Sequence, residues 1–255
     1  MRKDFYPILE HDPAEKAIIE PPPLPSDHPF PPHAVLCFFN QVIEELVESG
    51  KARQVSYASS VMGTHPIYEM KYGGRDLIVF LPGIGAPFTA AFLEEVIATG
   101  CCKIIVCGAA GVLDNRIAPG KIMVPTAAVR DDGTSYHYLP PAREVGVNPL
   151  ALAAIKKVLR NHKADFVLTK TWTTDAFYRE TPEKIRSRRR EGCLAVEMEA
   201  AALLAVAEFR KASLGLLLCA ADDVSGECWD ERGWRRGQEG RDKLFALACE
   251  ACLLL

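Results

Sequence analysis

Apolar and polar positions along the chain form short apolar runs that alternate with segments whose apolar residues lie three or four positions apart. The apolar runs predict buried strands, and the spaced segments predict helices. Strands that alternate with helices favour an α/β fold, here a single domain with a mixed central β-sheet flanked by helices on both faces. The predicted strands are 35–39, 68–72, 77–81, 103–107, 121–125, 165–172 and 213–219, and the predicted helices are 41–48, 89–99, 150–160, 200–209 and about 237–253.

Proline clusters set the first part of the chain apart from this pattern. Prolines occupy four of the five positions 21–25 and recur over 29–32. A run of prolines favours an extended polyproline conformation and cannot join a central strand. We therefore predict an N-terminal proline-rich arm, 1–33, followed by one domain, 34–255. The arm is either a spacer or a segment that wraps a neighbouring subunit.

Composition excludes several classes of partner. With 255 residues, 49% of them hydrophobic, the chain can build one large core. A net charge of −3 gives no electrostatic argument for nucleic acid or for an anionic membrane surface. The basic run Arg186–Arg190 is flanked by Glu183 and Glu191, which indicates a solvated helix face. No apolar stretch is long enough to span a bilayer, and residues 1–7 lack a signal-peptide core, so we expect a cytoplasmic protein.

The nine cysteines also favour a cytoplasmic protein. Their number is odd, and four of them have apolar neighbours, as expected of small buried residues in a reducing compartment: Cys37, Cys107, Cys193 and Cys219. Cys249 and Cys252 have the C-x-x-C spacing inside the predicted last helix. Because no second pair and no nearby histidine completes a metal site, we interpret them as helix packing and predict no metal.

Two carboxylates and a methionine, Glu197-Met198-Glu199, stand where the apolar run 192–195 leads into a predicted amphipathic helix, 200–209. A carboxylate in the first turn of a helix is stabilised by the helix dipole and is expected to stay ionised. An ionised carboxylate accepts hydrogen bonds only, so two neighbouring hydroxyls can both donate to it. This chemistry suits a ribose diol. The alternative is a capped helix start with solvated glutamates.

Glycines mark two turns after predicted strands. Gly83-x-Gly85 precedes a helix, so its amides could face an anion at the helix N-terminus. It is not a dinucleotide-binding fingerprint, because Phe88 occupies the position of the third glycine. The segment Gly108-Ala109-Ala110-Gly111 allows a ligand to approach the backbone closely. A tight turn is the alternative explanation for both.

Four segments, 81–87, 106–113, 196–202 and 221–226, occur in an order and spacing that resemble the nucleoside phosphorylase family. The resemblance is greatest to its uridine-phosphorylase-like members, which segment 124–135 also resembles, and it covers about 34–225. It implies the nucleoside phosphorylase fold and cleavage of an N-glycosidic bond. It also implies phosphate as co-substrate without another cofactor, and a homo-oligomer, either a dimer or a hexamer.

The resemblance assigns the chemical step to Asp222. A general acid that protonates the departing base lowers the barrier to glycosidic cleavage. Ala221 stands where the family has a serine, and Asp222 takes the position of the catalytic aspartate. The alternative is that Asp222 and Asp223 cap the strand end.

The other roles implied by the resemblance fall into three subsites. The predicted ribose-binding residues are Glu197, Met198 and Glu199, the predicted base-binding residues are Phe177 and Asp223, and the predicted phosphate-binding residues are Gly83, Gly85, Gly108 and Ala109. His137 is a further candidate to reach the substrate, with a surface loop as the alternative.

Departures from the family pattern affect the nucleophile. Val106 and Ala109 stand where phosphorylases carry an arginine and a hydroxyl residue. A phosphate dianion in a partly dry site without cations costs several kcal/mol, at the order of magnitude, unless Arg130 or Arg143 supplies charge from elsewhere. Thr181 replaces the glutamine that uridine phosphorylases use to bind uracil, and Glu183 likewise replaces the arginine.

Three hypotheses follow, in this order. The first is phosphorolysis of a nucleoside to free base and pentose 1-phosphate. The second is hydrolysis of the same bond, with Glu44 and Glu45 lying near the position where hydrolytic relatives carry a base. The third is a nucleoside-binding protein without turnover.

Overall fold

The computed structural model describes residues 3–234 and 238–255, which form a ten-stranded mixed sheet with six α-helices. The strands are β1 His33–Cys37, β2 Ala52–Ser60, β3 Gly63–Tyr72, β4 Arg75–Phe80, β5 Lys103–Val112, β6 Ile122–Asp131, β7 Glu144–Gly146, β8 Phe166–Thr174, β9 Cys193–Glu197 and β10 Ser213–Asp223. The helices are α1 Asn40–Glu48, α2 Ala86–Ala98, α3 Pro149–Asn161, α4 Pro182–Arg190, α5 Ala200–Phe209 and α6 Gln238–Leu253.

Five strands close into a circuit, because β10 pairs with both β6 and β5 while β8 and β9 complete the order β10-β6-β8-β9-β5. From β5 the sheet continues through β1, β4, β3 and β2, and β7 adds to β6. Strands β1, β4, β5 and β10 are mutually parallel through their pairings, with Leu36 beside Phe80 and Val106. Their carboxyl ends therefore meet at one edge, which is where ligands bind in such sheets.

Alternating residues of the central strands supply two cores. On β5, Ile104 and Val106 face the layer that contains α2 and α5, whereas Ile105 and Cys107 face the layer of α1, α3 and α6. The period of two along a strand explains this division. The predicted α/β class, with helices on both faces, is confirmed.

Several elements differ from the sequence-based prediction. The segment 108–111 is not a turn but the continuation of β5, and its Gly111 lies beside Val196 of β9, where an added Cβ would sit 3.0 Å from the valine. Strands β2, β7 and β9 were not predicted, and α4 was indicated only as a solvated helix face without bounds. Helix α4 has few apolar residues and β2 alternates exposed and buried positions with many polar side chains, so neither produces an apolar run.

Two interpretations of helices are corrected. Helix α5 is not amphipathic, because all residues from Ala200 to Ala207 are buried. It is enclosed by α2 and the sheet, as expected of a helix that is apolar on all sides. The basic run on α4 is also not entirely solvated, since Arg188 is buried and forms ion pairs with Asp131 and Glu191.

The proline-rich arm packs on its own chain. Leu24 and Phe30 are buried in the same core as α2 and α5. The amide of Leu24 donates to Thr99 Oγ1 over 2.9 Å, and Arg210 pairs with Glu20 of the arm. These contacts make the second half of the arm part of the domain's core.

The cysteines are all free thiols, and Cys249 and Cys252 are buried on α6 as the packing interpretation predicts. Among residues 3–234 and 238–255, no helix is long and apolar enough to cross a membrane. The same residues contain no group of three or more His, Cys, Asp or Glu side chains that could hold a metal ion.

Candidate functional site

A cavity of about 630 Å³ opens at the carboxyl ends of β1, β4, β5 and β10. Its walls combine the loop after β1, the loop between β4 and α2, and the junction between β9 and α5. The lining residues are Phe38, Phe39, Asn40, Leu81, Gly83, Ile84, Val106, Gly108, Ala109, Glu197, Met198, Glu199, Ala200, Leu203, Leu216, Leu218 and Trp234. A largely apolar cavity with a few carboxylates suits a small molecule that carries an apolar ring and a polar diol.

Glu199 reaches across the cavity to the start of α2. Its Oε1 accepts a hydrogen bond of 2.6 Å from the amide of Gly85, the residue that precedes α2, and its Oε2 accepts one of 3.3 Å from the amide of Met198. A carboxylate is stabilised there by the positive end of the helix dipole. The Gly85 amide, predicted to bind an anion, is therefore occupied by a side chain of the protein.

Glu197 stabilises the junction between β9 and α5 through the hydrogen bonds of its carboxyl group. Its Oε1 accepts from Thr173 Oγ1 over 2.6 Å and from Thr171 Oγ1 over 3.2 Å, and its Oε2 accepts from the amides of Glu199 and Ala200. The hydroxyl of Thr173 also accepts from the amide of Ala201. This network fixes the backbone that presents Glu199 to the cavity, and the two threonines on β8 were missed in the sequence because they belong to no motif.

The carboxyl pair departs from the expected ionisation. Burial raises the pKa of Glu199 to about 7, and the nearby charge of Glu197 adds to the rise. Burial also raises the pKa of Glu197, although its hydrogen bonds to Thr173 and to backbone amides oppose the rise. Glu199 is therefore only partly ionised near neutral pH, whereas the sequence predicted a carboxylate that stays ionised, because desolvation opposes the charged form.

The glycines of the predicted phosphate site are covered by aromatic rings. A Cβ on Gly83 would lie 2.3 Å from Phe88 Cδ1, and one on Gly108 would lie 3.2 Å from Phe38 Cδ2. At both glycines, the space next to the backbone is therefore filled by an aromatic ring of the protein itself. Ala109 and Val106 add apolar surface to the same wall, and no Lys, Arg or His is among the cavity's lining residues in the described chain.

Asp222 lies near the end of β10 and is only partly buried. Its Oδ2 accepts a hydrogen bond of 2.7 Å from the indole Nε1 of Trp229, in the loop that follows the strand. Burial raises the pKa of Glu180 to about 7, and the charge of Asp222 adds to that rise. Glu180 is thus a second carboxyl group near Asp222, and no motif in the sequence identified it.

The predicted base-binding residues lie outside the set that lines the cavity, as does Asp222. Asp223 is buried, and its Oδ1 accepts from the amide of Ser225, a contact that stabilises the turn after β10. Phe177 is 49% exposed in a short 3₁₀ helix, with its ring 4.0 Å from that of Tyr178. The structure therefore gathers the predicted ribose residues and three of the predicted anion residues, Gly83, Gly108 and Ala109, around one cavity. Gly85 and the predicted acid and base residues are not among its lining residues.

Other candidate groups are engaged elsewhere. Arg130 is buried and donates to Ser135 and to backbone carbonyls, whereas Arg143 pairs with Glu191. His137 is exposed beside a groove that it shares with the N-terminal arm. Glu44 and Glu45 line two other grooves. None of these five side chains lines the cavity that contains Glu199.

The chain is similar in sequence to a known family and to proteins within it. The family model of the phosphorylase superfamily matches residues 32–250. A guanosine phosphorylase of Halorubrum lacusprofundi is 29% identical over 158 residues, which is 62% of this chain and 65% of the relative. The chain thus spans slightly less than two thirds of that relative's length.

Two solved structures share the fold. A purine nucleoside phosphorylase of Toxoplasma gondii, in complex with immucillin-H, has a TM-score of 0.76 at 20% identity, over 88% of this chain and 91% of that one. An AMP nucleosidase of Bacteroides thetaiotaomicron has a TM-score of 0.71 at 22% identity, over 87% of each chain. Because the family model covers most of its length, the chain belongs to the phosphorylase superfamily.

Proposed function

We propose that this protein cleaves the N-glycosidic bond of a nucleoside by phosphorolysis, giving free base and a pentose 1-phosphate. The observation that carries the proposal is the Met198-Glu199 pair in an apolar cavity at the carboxyl ends of parallel strands. Glu199 offers carboxylate oxygens to a sugar diol, Met198 offers apolar surface, and Glu197 holds both in place through its hydrogen bonds to the backbone of Glu199 and Ala200.

In this proposal the departing base receives its proton from Asp222. Phosphate attacks the anomeric carbon as the bond to the base breaks, and the positive charge that develops on the sugar is balanced by the incoming anion. In the same proposal Phe177 and Asp223 contact the base, and phosphate binds beside Gly83, Gly85, Gly108 and Ala109 in place of the contact that Glu199 makes with the amide of Gly85 in this structure. The names of relatives such as the guanosine phosphorylase support phosphate as the nucleophile.

Hydrolysis is the second candidate, and one observation favours it. The wall expected to hold phosphate presents Val106, Ala109 and the ring of Phe38, and the Gly85 amide is bonded to Glu199. A neutral water molecule enters such a site at a smaller desolvation cost than a dianion.

The test is to incubate the protein with a panel of purine and pyrimidine nucleosides, with and without phosphate, and to quantify free base and the sugar product by chromatography. Base released only with phosphate, together with pentose 1-phosphate, is the expected result. Equal release without phosphate would replace phosphorolysis by hydrolysis. Tight nucleoside binding without any release of base would identify a binding protein and would exclude both reactions.

The proposal also includes the cellular compartment and the oligomeric state of the protein. Nine free cysteines support a reducing compartment, and we place the protein in the cytoplasm. We propose a homo-oligomer, a dimer or a hexamer, which size-exclusion chromatography with light scattering would measure directly.

A further inference from the structure

An exposed indole contacts the carboxyl group to which the proposed reaction assigns the proton. Trp229 lies in the segment that follows β10, and its Nε1 donates a hydrogen bond of 2.7 Å to Asp222 Oδ2. Trp229 is 61% exposed, so it buries little apolar surface. Packing in the core therefore contributes little to the position of this side chain.

The backbone after β10 holds the indole in place. Asp223 and Asp230 form an antiparallel bridge, with hydrogen bonds of 2.8 and 3.0 Å between their backbone groups, which closes the intervening turn. Within that turn the amide of Ser225 donates to Asp223 Oδ1 over 2.8 Å. Trp229 directly precedes the bridge, so the bridge fixes it beside the end of β10.

The carboxyl group of Asp222 lies against β5. A Cβ built on Gly111 would be 3.6 Å from Oδ1 and 3.7 Å from Oδ2. Gly111 is two positions from Ala109, which lines the cavity, and residues two apart share one face of a strand. Among the residues that the structure describes, none donates a hydrogen bond to Oδ1. Oδ1 is therefore the oxygen that can carry a proton.

The chemistry of the donor supports the same assignment. An indole N–H donates a hydrogen bond and cannot accept one, so it disfavours a proton on Oδ2. A hydrogen bond to an ionised carboxylate is roughly twice as strong as one between neutral groups. The bond from Trp229 therefore strengthens as Asp222 gives up its proton, which stabilises the transition state more than the ground state.

We propose that Trp229 is a positioning residue for the general acid Asp222: its hydrogen bond to Oδ2 leaves Oδ1 as the oxygen that protonates the departing base. The O–H bond at Oδ1 breaks as a nitrogen of the base takes the proton. The electron pair of the glycosidic bond goes to the base, and the nucleophile bonds to the anomeric carbon. The carboxylate that remains regains a proton from solvent. The inference rests on the proposed function, and it is the same whether phosphate or water is the nucleophile.

The test is a double-mutant cycle on release of free base, with wild type, Trp229→Phe, Asp222→Asn and the double variant. The substrate is the nucleoside that wild type cleaves fastest among guanosine, adenosine, inosine, uridine and thymidine, with phosphate present. Trp229→Phe keeps an aromatic ring and removes the N–H donor. We expect it to lower kcat by about tenfold or more, the effect of losing one charge-assisted hydrogen bond, while KM changes by less than about twofold. In the Asp222→Asn background the same substitution should lower kcat by less than about twofold, because no proton transfer is left to assist.

The control is Glu227→Gln, which changes an exposed carboxyl group of the same segment and should keep the kcat of wild type. Equal losses of kcat in the two backgrounds, or no loss in either, would overturn the proposal. If Trp229→Phe does not fold, replacing Trp229 with 3-benzothienylalanine, which keeps the ring shape and lacks the N–H, decides by the same comparison. If wild type releases no base from any nucleoside, the proposed function fails and this inference fails with it. An active wild type with equal losses removes the inference alone.

Discussion

Asp222 has a partly exposed carboxyl group that accepts a hydrogen bond of 2.7 Å from the indole of Trp229. In Asp222→Asn the amide oxygen can still accept that bond, but the side chain can no longer transfer a proton to a departing base. We expect kcat to fall by about a hundredfold to ten-thousandfold, the usual contribution of a general acid, while KM changes little. Steady-state release of free base measures both. Near-native turnover would remove Asp222 from the mechanism and make Asp223 the next residue to test.

Glu199 is expected to distinguish the sugar from the base. Replacing it with glutamine removes the charge-assisted acceptor for a diol, so affinity for a riboside should fall by about tenfold while affinity for the free base stays the same. Calorimetric titration of both ligands provides the measurement, with Glu208→Gln as the control, since Glu208 is exposed on α5, the helix that follows Glu199. Equal losses for riboside and base would rule out a role in binding the sugar.

At the scale of single residues, the sequence was sufficient to place Glu197, Met198 and Glu199 at one cavity together with Gly83 and Ala109. It could not predict that Glu199 bonds to Gly85, because that contact joins two segments over a hundred positions apart. Nor could it identify Thr171 and Thr173, whose role depends on the register of β8 against β9. Local pattern specifies which residues are suited to a site, whereas long-range packing decides what they contact.

At the scale of elements, the turn between β4 and α2 is expected to be sensitive to substitution. Gly83 has φ +85°, and a Cβ there would overlap the ring of Phe88. Gly74, in the hairpin between β3 and β4, has φ +80° with open space around it. Both Gly→Ala variants impose about 1 kcal/mol of backbone strain, but only Gly83→Ala adds a clash with a ring.

We therefore expect Gly83→Ala to lower the free energy of unfolding by about 2 kcal/mol or more, and Gly74→Ala by about 1 kcal/mol. Denaturant unfolding followed by circular dichroism compares them. If the two variants lose the same stability, the packing of Phe88 on this turn is not a constraint on the loop that borders the cavity.

The burial of each strand explains whether the sequence predicted it. Continuous apolar runs such as 103–107 predicted strands, and 213–219 did so equally well, because those strands are buried on both faces. The strand β5 was predicted too short, since Gly108 and Gly111 are typical of turns when no neighbour is known. Here Val196 of β9 and Phe38 lie against those glycines, so small residues are required inside the strand.

At the scale of the whole molecule, burial of Glu199 makes stability depend on pH. Its pKa is raised from 4.5 to about 7, so the folded state holds this proton more tightly than the unfolded chain does. The resulting stability is fully present below pH 4.5 and is lost as the pH rises through about 7, by an amount on the order of 1–3 kcal/mol. Glu199→Gln should remove this loss. The measurement is the free energy of unfolding at pH 5 and pH 8, and identical pH dependence in wild type and variant would contradict the assignment.

The N-terminal arm is expected to contribute to the stability of the domain. Leu24 is 6% exposed in the core shared with α2, whereas Ile18 in the same arm is fully exposed. Leu24→Ala should lower the free energy of unfolding by about 2–4 kcal/mol, and Ile18→Ala should change it by less than about 0.5 kcal/mol. Thermal unfolding compares the pair. Equal effects would mean that the arm is a spacer and not a part of the core.

The most direct test of the central claim is to measure release of free base from a purine and a pyrimidine nucleoside by wild type and by Glu199→Gln. Each reaction contains phosphate and is analysed by chromatography with mass spectrometry. We predict that wild type releases base from at least one nucleoside and that Glu199→Gln, at the same substrate concentration, does so at least about tenfold more slowly. Absence of base release by wild type, or undiminished release by a folded Glu199→Gln, would contradict the assignment of this cavity as a nucleoside-cleaving site.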